Sequence, residues 1–69
     1  MQEFQLEGSE YIELNKLLKI TGLCESGGRA SALITSGEIK VDDAVETRKR
    51  CKIRKGQVVE IGDQKISVV

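Results

Sequence analysis

Sixty-nine residues, 39% of them apolar and 32% charged, with no proline, lie inside the globular range and outside the disordered one. A chain this short buries only about 60% of the surface it exposes when unfolded, so one domain over residues 1–69 with a thin core is expected. The formal net charge is zero, but residues 1–28 carry two Lys/Arg against five acids, residues 29–55 eight against four, and residues 56–69 one against two, leaving a basic island in the middle.

Phe4 and Leu6 alternate with polar neighbours and predict a short opening strand closed by Gly8 and Ser9. From about Ile12 to Thr21, Leu14, Leu17 and Leu18 recur at helical spacing and Gly22 supplies a left-handed stop. A second helix follows, with Ser26 as N-cap, Ala30, Leu33 and Ile34 on one face, and Gly37 at its end. Only Leu23, Cys24 and Glu25 join the two, so the helices must pack against each other.

After Gly37 the apolar period falls to two. Ile39 and Val41 alternate with Glu38 and Lys40, and Asp42-Asp43 makes a turn before Val45. Cys51 and Ile53, Val59 and Ile61, then Ile66 and Val68 repeat the alternation between turns at Gly56 and Gly62-Asp63. The expected fold is α+β, two packed helices against a small, mostly antiparallel sheet. Its expected core is Leu14, Leu17, Leu18, Leu33, Ile34, Ile39, Val41, Cys51, Ile53, Val59 and Ile61.

No run approaches the roughly 20 apolar residues of a membrane span. The opening MQEFQLEGSE lacks the basic and apolar regions of a secretory leader, so a soluble cytoplasmic protein is expected. Cys24 and Cys51 fit no metal motif and read as small hydrophobes in a reducing setting. Without histidine, and without a serine or cysteine beside an obvious base, the chain is not expected to be an enzyme or to need a metal or cofactor.

The strongest local signal is Arg48-Lys49-Arg50-Cys51-Lys52-Ile53-Arg54-Lys55. With Cys51 and Ile53 turned inward, strand alternation sets Arg50, Lys52 and Arg54, and with them Arg48, on one outward face as a row of unpaired cations at intervals of roughly 6.7 Å. Lysines on an edge strand also prevent aggregation. Three arginines among those four favour bidentate phosphate contact over simple solubility. The other signal is Ser26-Gly27-Gly28-Arg29. Two glycines in a first helical turn cost up to about 1 kcal/mol each relative to alanine. A cation there opposes the macrodipole by about 0.3 to 1 kcal/mol. Either a bound phosphate on the bare amides offsets these costs, or Glu25 offsets the dipole and the glycines allow close packing.

Aromatic residues are limited to Phe4, read as core, and Tyr11, which stays open between a packing role and an exposed contact. Such a surface suits the shape and backbone of folded RNA better than single strands. A helix-turn-helix reader of DNA sequence is disfavoured, because the second helix exposes mainly Ser31, Thr35 and Ser36 and only Arg29 suits a bidentate base contact.

With these residues in view, the chain resembles the S4 RNA-binding domain between about Tyr11 and Ile61. The carrying set is Leu17 through Gly22-Leu23, then Ser26, Ala30, Leu33-Ile34, Gly37, Ile39, Val41, Gly56, Val59 and Ile61. Val45-Glu46-Thr47-Arg48-Lys49-Arg50 and the compact length are similar to the small stand-alone YbcJ-like S4 proteins of bacteria. The resemblance implies the αL motif, RNA lying against the helix pair and the adjoining strand, and a role near ribosomal or transfer RNA in translation or ribosome assembly. The chain departs from the family at Gly27 and Tyr11, where arginine is frequent, and at Asp42-Asp43, where asparagine-glycine is frequent. The basic strand is therefore expected to take over part of the helix-face contacts. The candidate RNA contacts are Ser26, Gly27, Gly28, Arg29, Lys40, Arg48, Lys49, Arg50, Lys52, Arg54 and Lys55.

Two other classes compete. A protein-interaction or assembly module would offer the same basic strand to an acidic partner. A small β-grasp sulfur carrier would end in Gly-Gly, whereas this chain ends Ile66-Ser67-Val68-Val69.

Overall fold

The switch from helical to strand period at Gly37 divides the computed structural model, which describes all of residues 1–69. The elements run β1 (Gln2–Phe4), β2 (Ile12–Glu13), α1 (Leu14–Ile20), α2 (Gly27–Thr35), β3 (Ile39–Val41), β4 (Ala44–Val45), β5 (Lys52–Ile53), β6 (Val58–Ile61) and β7 (Gln64–Val68). Five strands form one sheet in the order β1-β7-β6-β3-β4, parallel between β1 and β7 and antiparallel elsewhere.

Both ends of α2 follow from local chemistry. Ser26 Oγ caps α2 by accepting the Arg29 amide at 3.2 Å. Gly37 leaves the helix with φ +82°, a conformation that side chains with a Cβ avoid. Between β3 and β4, Asp42 and Asp43 take φ of 52° and 68°, the left-handed pair demanded by a two-residue hairpin that follows the strand twist. The Asp42 carboxylate accepts the Val58 amide at 3.0 Å and Gln57 Nε2 at 3.3 Å, which ties this turn to β6.

Thirteen residues make one core. Leu14, Leu17, Leu18, Ala30 and Ile34 come from the helices and Ile39, Val41, Val59, Ile66 and Val68 from the sheet, with Leu6, Cys24 and Ile53 completing it. Three expected members, Leu33, Cys51 and Ile61, are only partly buried. Leu33 lies on the flank of α2, Cys51 in a loop, and Ile61 at the strand end beside the Gly62-Asp63 turn.

Two further expectations are corrected. Ile12 belongs to β2, so the first helix begins at Leu14. The basic segment does not join the main sheet: Lys52–Ile53 pairs with Ile12–Glu13 as a separate antiparallel ribbon, in the register Ile12↔Ile53 and Glu13↔Lys52. The reason is length, since β5 is two residues long and the chain on either side of it turns away.

Ile53 is wholly buried and is the point at which the ribbon enters the core. Ile53→Ala should therefore cost about 2 to 5 kcal/mol. Denaturant unfolding checks this, and a cost below about 1 kcal/mol would show the ribbon to be a surface appendage.

Candidate nucleic-acid interface

The basic segment is held in place by backbone before any side chain takes part. Glu13, at the N-cap of α1, makes no side-chain cap. Instead Cys51 O accepts the Leu14 amide at 2.9 Å and Lys49 O accepts the Asn15 amide at 3.1 Å. A turn closed by Cys51 N donating to Arg48 O at 3.2 Å presents these carbonyls. The start of α1 and the loop from residue 46 to residue 51 therefore satisfy each other's polar groups.

Carboxylates then orient the arginines. Glu46 Oε2 accepts the Arg48 amide at 3.0 Å and Arg48 Nε at 2.9 Å, while Oε1 accepts Arg48 Nη2 at 3.1 Å. These bonds hold the Glu46 carboxyl down to about 2, the guanidinium contributing most and the Arg48 amide next. Arg48 is raised in turn by the same carboxylate. Glu13 Oε2 accepts Arg50 Nε at 3.3 Å, and Glu13 also lies 3.9 Å from Lys16 Nζ. The expected row of unpaired cations is thus half paired, because strand alternation says nothing of acids brought in from Glu13 and Glu46.

Within the basic segment, the cations without a carboxylate partner are the neighbours of these arginines. Lys49, Lys52, Arg54 and Lys55 are all exposed, and none has an acidic oxygen within 4.0 Å. Lys52 and Arg54 share the outward face of the ribbon, with Ile53 between them turned inward. Arg48, Arg50, Cys51 and Lys52 line an open depression of about 400 Å³. Cys51 Sγ lies 3.6 Å from Glu46 Oε1 and 3.7 Å from Arg48 Nη2. Burial first, and the Glu46 charge second, push its thiol up, which suits a packing group and not a nucleophile. Cys24 is also free, and burial raises its thiol against the opposing influence of Arg29.

The second predicted feature stands apart. Ser26, Gly27, Gly28 and Arg29 open α2, which follows the C-terminal end of α1. The basic loop sits at the other end of α1, and seven residues at about 1.5 Å each separate the two by roughly 10 Å along the helix. Close packing does not explain the glycines. A Cβ on Gly27 would meet nothing within 4 Å, and one on Gly28 only Ser26 Oγ at 3.8 Å. The Arg29 amide is already taken by Ser26, leaving those of Gly27 and Gly28 at the helix start. Lys40 is not gathered with the others. It alternates with buried Ile39 and Val41, on the outer face of the main sheet in register with Glu60.

Sequence reasoning passed over Glu13 and Glu46 and left Tyr11 undecided. Tyr11 is exposed, with Lys52 Nζ 4.9 Å and Arg54 Cζ 5.7 Å from its ring centre. The signal available was the Ile12↔Ile53 pairing, which requires knowing that β2 exists. No cluster of three or more His, Cys, Asp or Glu side chains is arranged to hold a metal ion, and no helix is long and apolar enough to cross a membrane.

A helix pair on a mixed sheet, with a basic loop locked to the first helix, defines a small α+β module with one basic surface. The S4 domain profile matches residues 4–69, and the chain belongs to that family. YbcJ of Escherichia coli (strain K12) is 48% identical over 69 residues, spanning 100% of this chain and 99% of that protein. The solution structure of YbcJ from E. coli superposes with a TM-score of 0.78, covering 100% of this chain and 87% of the other, and is described as revealing an alfaL motif involved in RNA-binding. Over 53 residues the chain is 36% identical to a Bacillus subtilis (strain 168) protein named probable ribosome maturation protein RlbA, spanning 77% of this chain and 75% of that one.

The Glu46 contact carries a pH signature. Its folded value lies below the ordinary 4.5, so its contribution to stability is complete above that pH and fades as the pH falls toward about 2. Glu46→Gln should lower the melting temperature near neutral pH, and the gap from wild type should close by about pH 2. Melts across that range check it; a gap independent of pH would assign the effect to shape and not to charge.

Proposed function

We propose that residues 1–69 act as one non-catalytic unit that binds the phosphate backbone of structured RNA. The basic loop and ribbon make the main contact. The observation that carries this reading is the set of exposed cations without a carboxylate partner, Lys49, Lys52, Arg54 and Lys55, on the loop and ribbon joined to α1 of an S4 domain. A backbone already held in place leaves only side chains to order on meeting phosphate, and counterions released from the RNA supply most of the affinity. Arg48 and Arg50, oriented by Glu46 and Glu13 and sharing their charge with them, offer phosphate their remaining guanidinium N–H groups. Arg29 and the first amides of α2 form a second phosphate contact. The RNA-binding motif described for YbcJ supports RNA as the ligand, and the name of RlbA, a probable ribosome maturation protein, supports a setting linked to the ribosome.

A second reading, docking of an acidic protein, draws on the fact that Arg48 and Arg50 already donate to carboxylates. Competition between a structured RNA and an acidic protein for the same surface separates the two.

Engagement of about four phosphates should make log K fall with log salt at a slope of about −3 to −4. Replacing Lys52 and Arg54 with glutamine should flatten that slope by about 1.5 to 2. Replacing Arg48 and Arg50 should flatten it less, since each is partly neutralised in the free protein. Filter binding of an RNA hairpin across a salt series measures both, and an unchanged slope in the folded Lys52/Arg54 variant would sink the reading.

At the entrance of α2, Gly27→Ala and Gly28→Ala should each stabilise the free protein by about 0.5 to 1 kcal/mol while leaving RNA affinity equal or weaker. Arg29→Glu should weaken binding more than Lys65→Glu, a control whose amine is 3.7 Å from Glu60 on the far sheet face. Equal losses would remove α2 from the contact surface.

A further inference from the structure

We propose that Tyr11, Lys52 and Arg54 form a subsite for one unpaired nucleotide, its base stacked on the tyrosine ring and its flanking phosphate held by the two cations. This deepens the RNA-binding reading and rests on it. The β2–β5 register, extended by one residue, sets Tyr11 opposite Arg54, and Lys52 lies one position along on the same outward face. The ring centre is then 4.9 Å from Lys52 Nζ and 5.7 Å from Arg54 Cζ. Tyr11 is 38% exposed, whereas Phe4, the other aromatic residue, packs against the core.

A surface that gripped phosphate alone would have no use for an exposed aromatic ring between its free cations. A nucleotide offers the complementary pair, a π face and an anion, at about this spacing. Stacking of a base on an aromatic ring outweighs an exposed cation–π contact, so a base can take the ring and release both cations to phosphate. Neither cation has an acidic oxygen within 4.0 Å to break from first. Because no second aromatic is exposed nearby, the subsite takes a single base and does not form a groove for a single strand. The ligand class is therefore an RNA helix carrying one unpaired nucleotide, with the duplex on the basic loop and the extruded base on Tyr11.

The test uses the full chain and two hairpin RNAs that are identical except for one bulged 2-aminopurine. Wild type should bind the bulged hairpin about ten-fold more tightly than the fully paired one, with a change in 2-aminopurine fluorescence. Tyr11→Phe should keep both effects. Tyr11→Ala should lose both, binding the two hairpins alike. Should Tyr11→Ala fail to fold in a thermal melt, Tyr11→Leu, which keeps apolar bulk without a π face, must lose the preference in its place. Equal binding of the two hairpins by wild type would overturn the inference. So would a preference that survives in the folded variant without the ring, which would make Tyr11 only a rest for Lys52 and Arg54. Failure of wild type to bind either hairpin would overturn the RNA-binding reading itself, and the subsite with it.

Discussion

Two backbone hydrogen bonds decide what the rest of this surface can do: Leu14 to Cys51 O and Asn15 to Lys49 O. A helix whose N-cap residue, Glu13, offers no side-chain cap would leave its first amides unpaired, and a loop of successive cations would sample many shapes. Joined, each supplies what the other lacks. The arrangement sets positive charge at the positive end of a helix, which is unfavourable alone. Glu13, at that helix end and 3.3 Å from Arg50, offsets it.

Acidic residues distribute the charge of the basic island. Glu46 and Glu13 hold Arg48 and Arg50 as oriented forks, while Lys49, Lys52, Arg54 and Lys55 remain uncompensated. A chain of zero net charge can therefore present a local positive field without the self-repulsion of an all-basic loop. The carboxylates also tune that field: each lowers the charge that RNA would meet, and each fixes the geometry in which it would meet it.

Most of the fold could be read from the residues, because two strong periodic signals meet at Gly37 and because Ser26 is a genuine cap. The start of α1 could not. Its cap comes from carbonyls of residues 49 and 51, more than thirty residues away in the chain, and no local pattern announces such a partner. The ribbon was hidden for a related reason, since strands of two residues give alternation nothing to act on. The outward direction of Lys52 and Arg54 was legible from Ile53 alone. The pairing of Arg48 and Arg50, the separation of Lys40 and the setting of Tyr11 depend on contacts between distant segments, and periodicity carries no information about those.

The parallel pairing of β1 with β7 has a bearing on how the chain is made. Residues 64–68 form the second strand of the main sheet, between the first-made strand and the others. While the protein is being synthesised, Gln2–Phe4 thus has no strand partner until this segment has emerged, and Leu6 has none of its contact with Val69. The helix pair and the β3–β4 hairpin involve short separations in sequence and can form early, but closure of the sheet must await the end of this segment. Until then β6 keeps an unpaired edge, and completing the sheet means inserting a strand between β6 and β1.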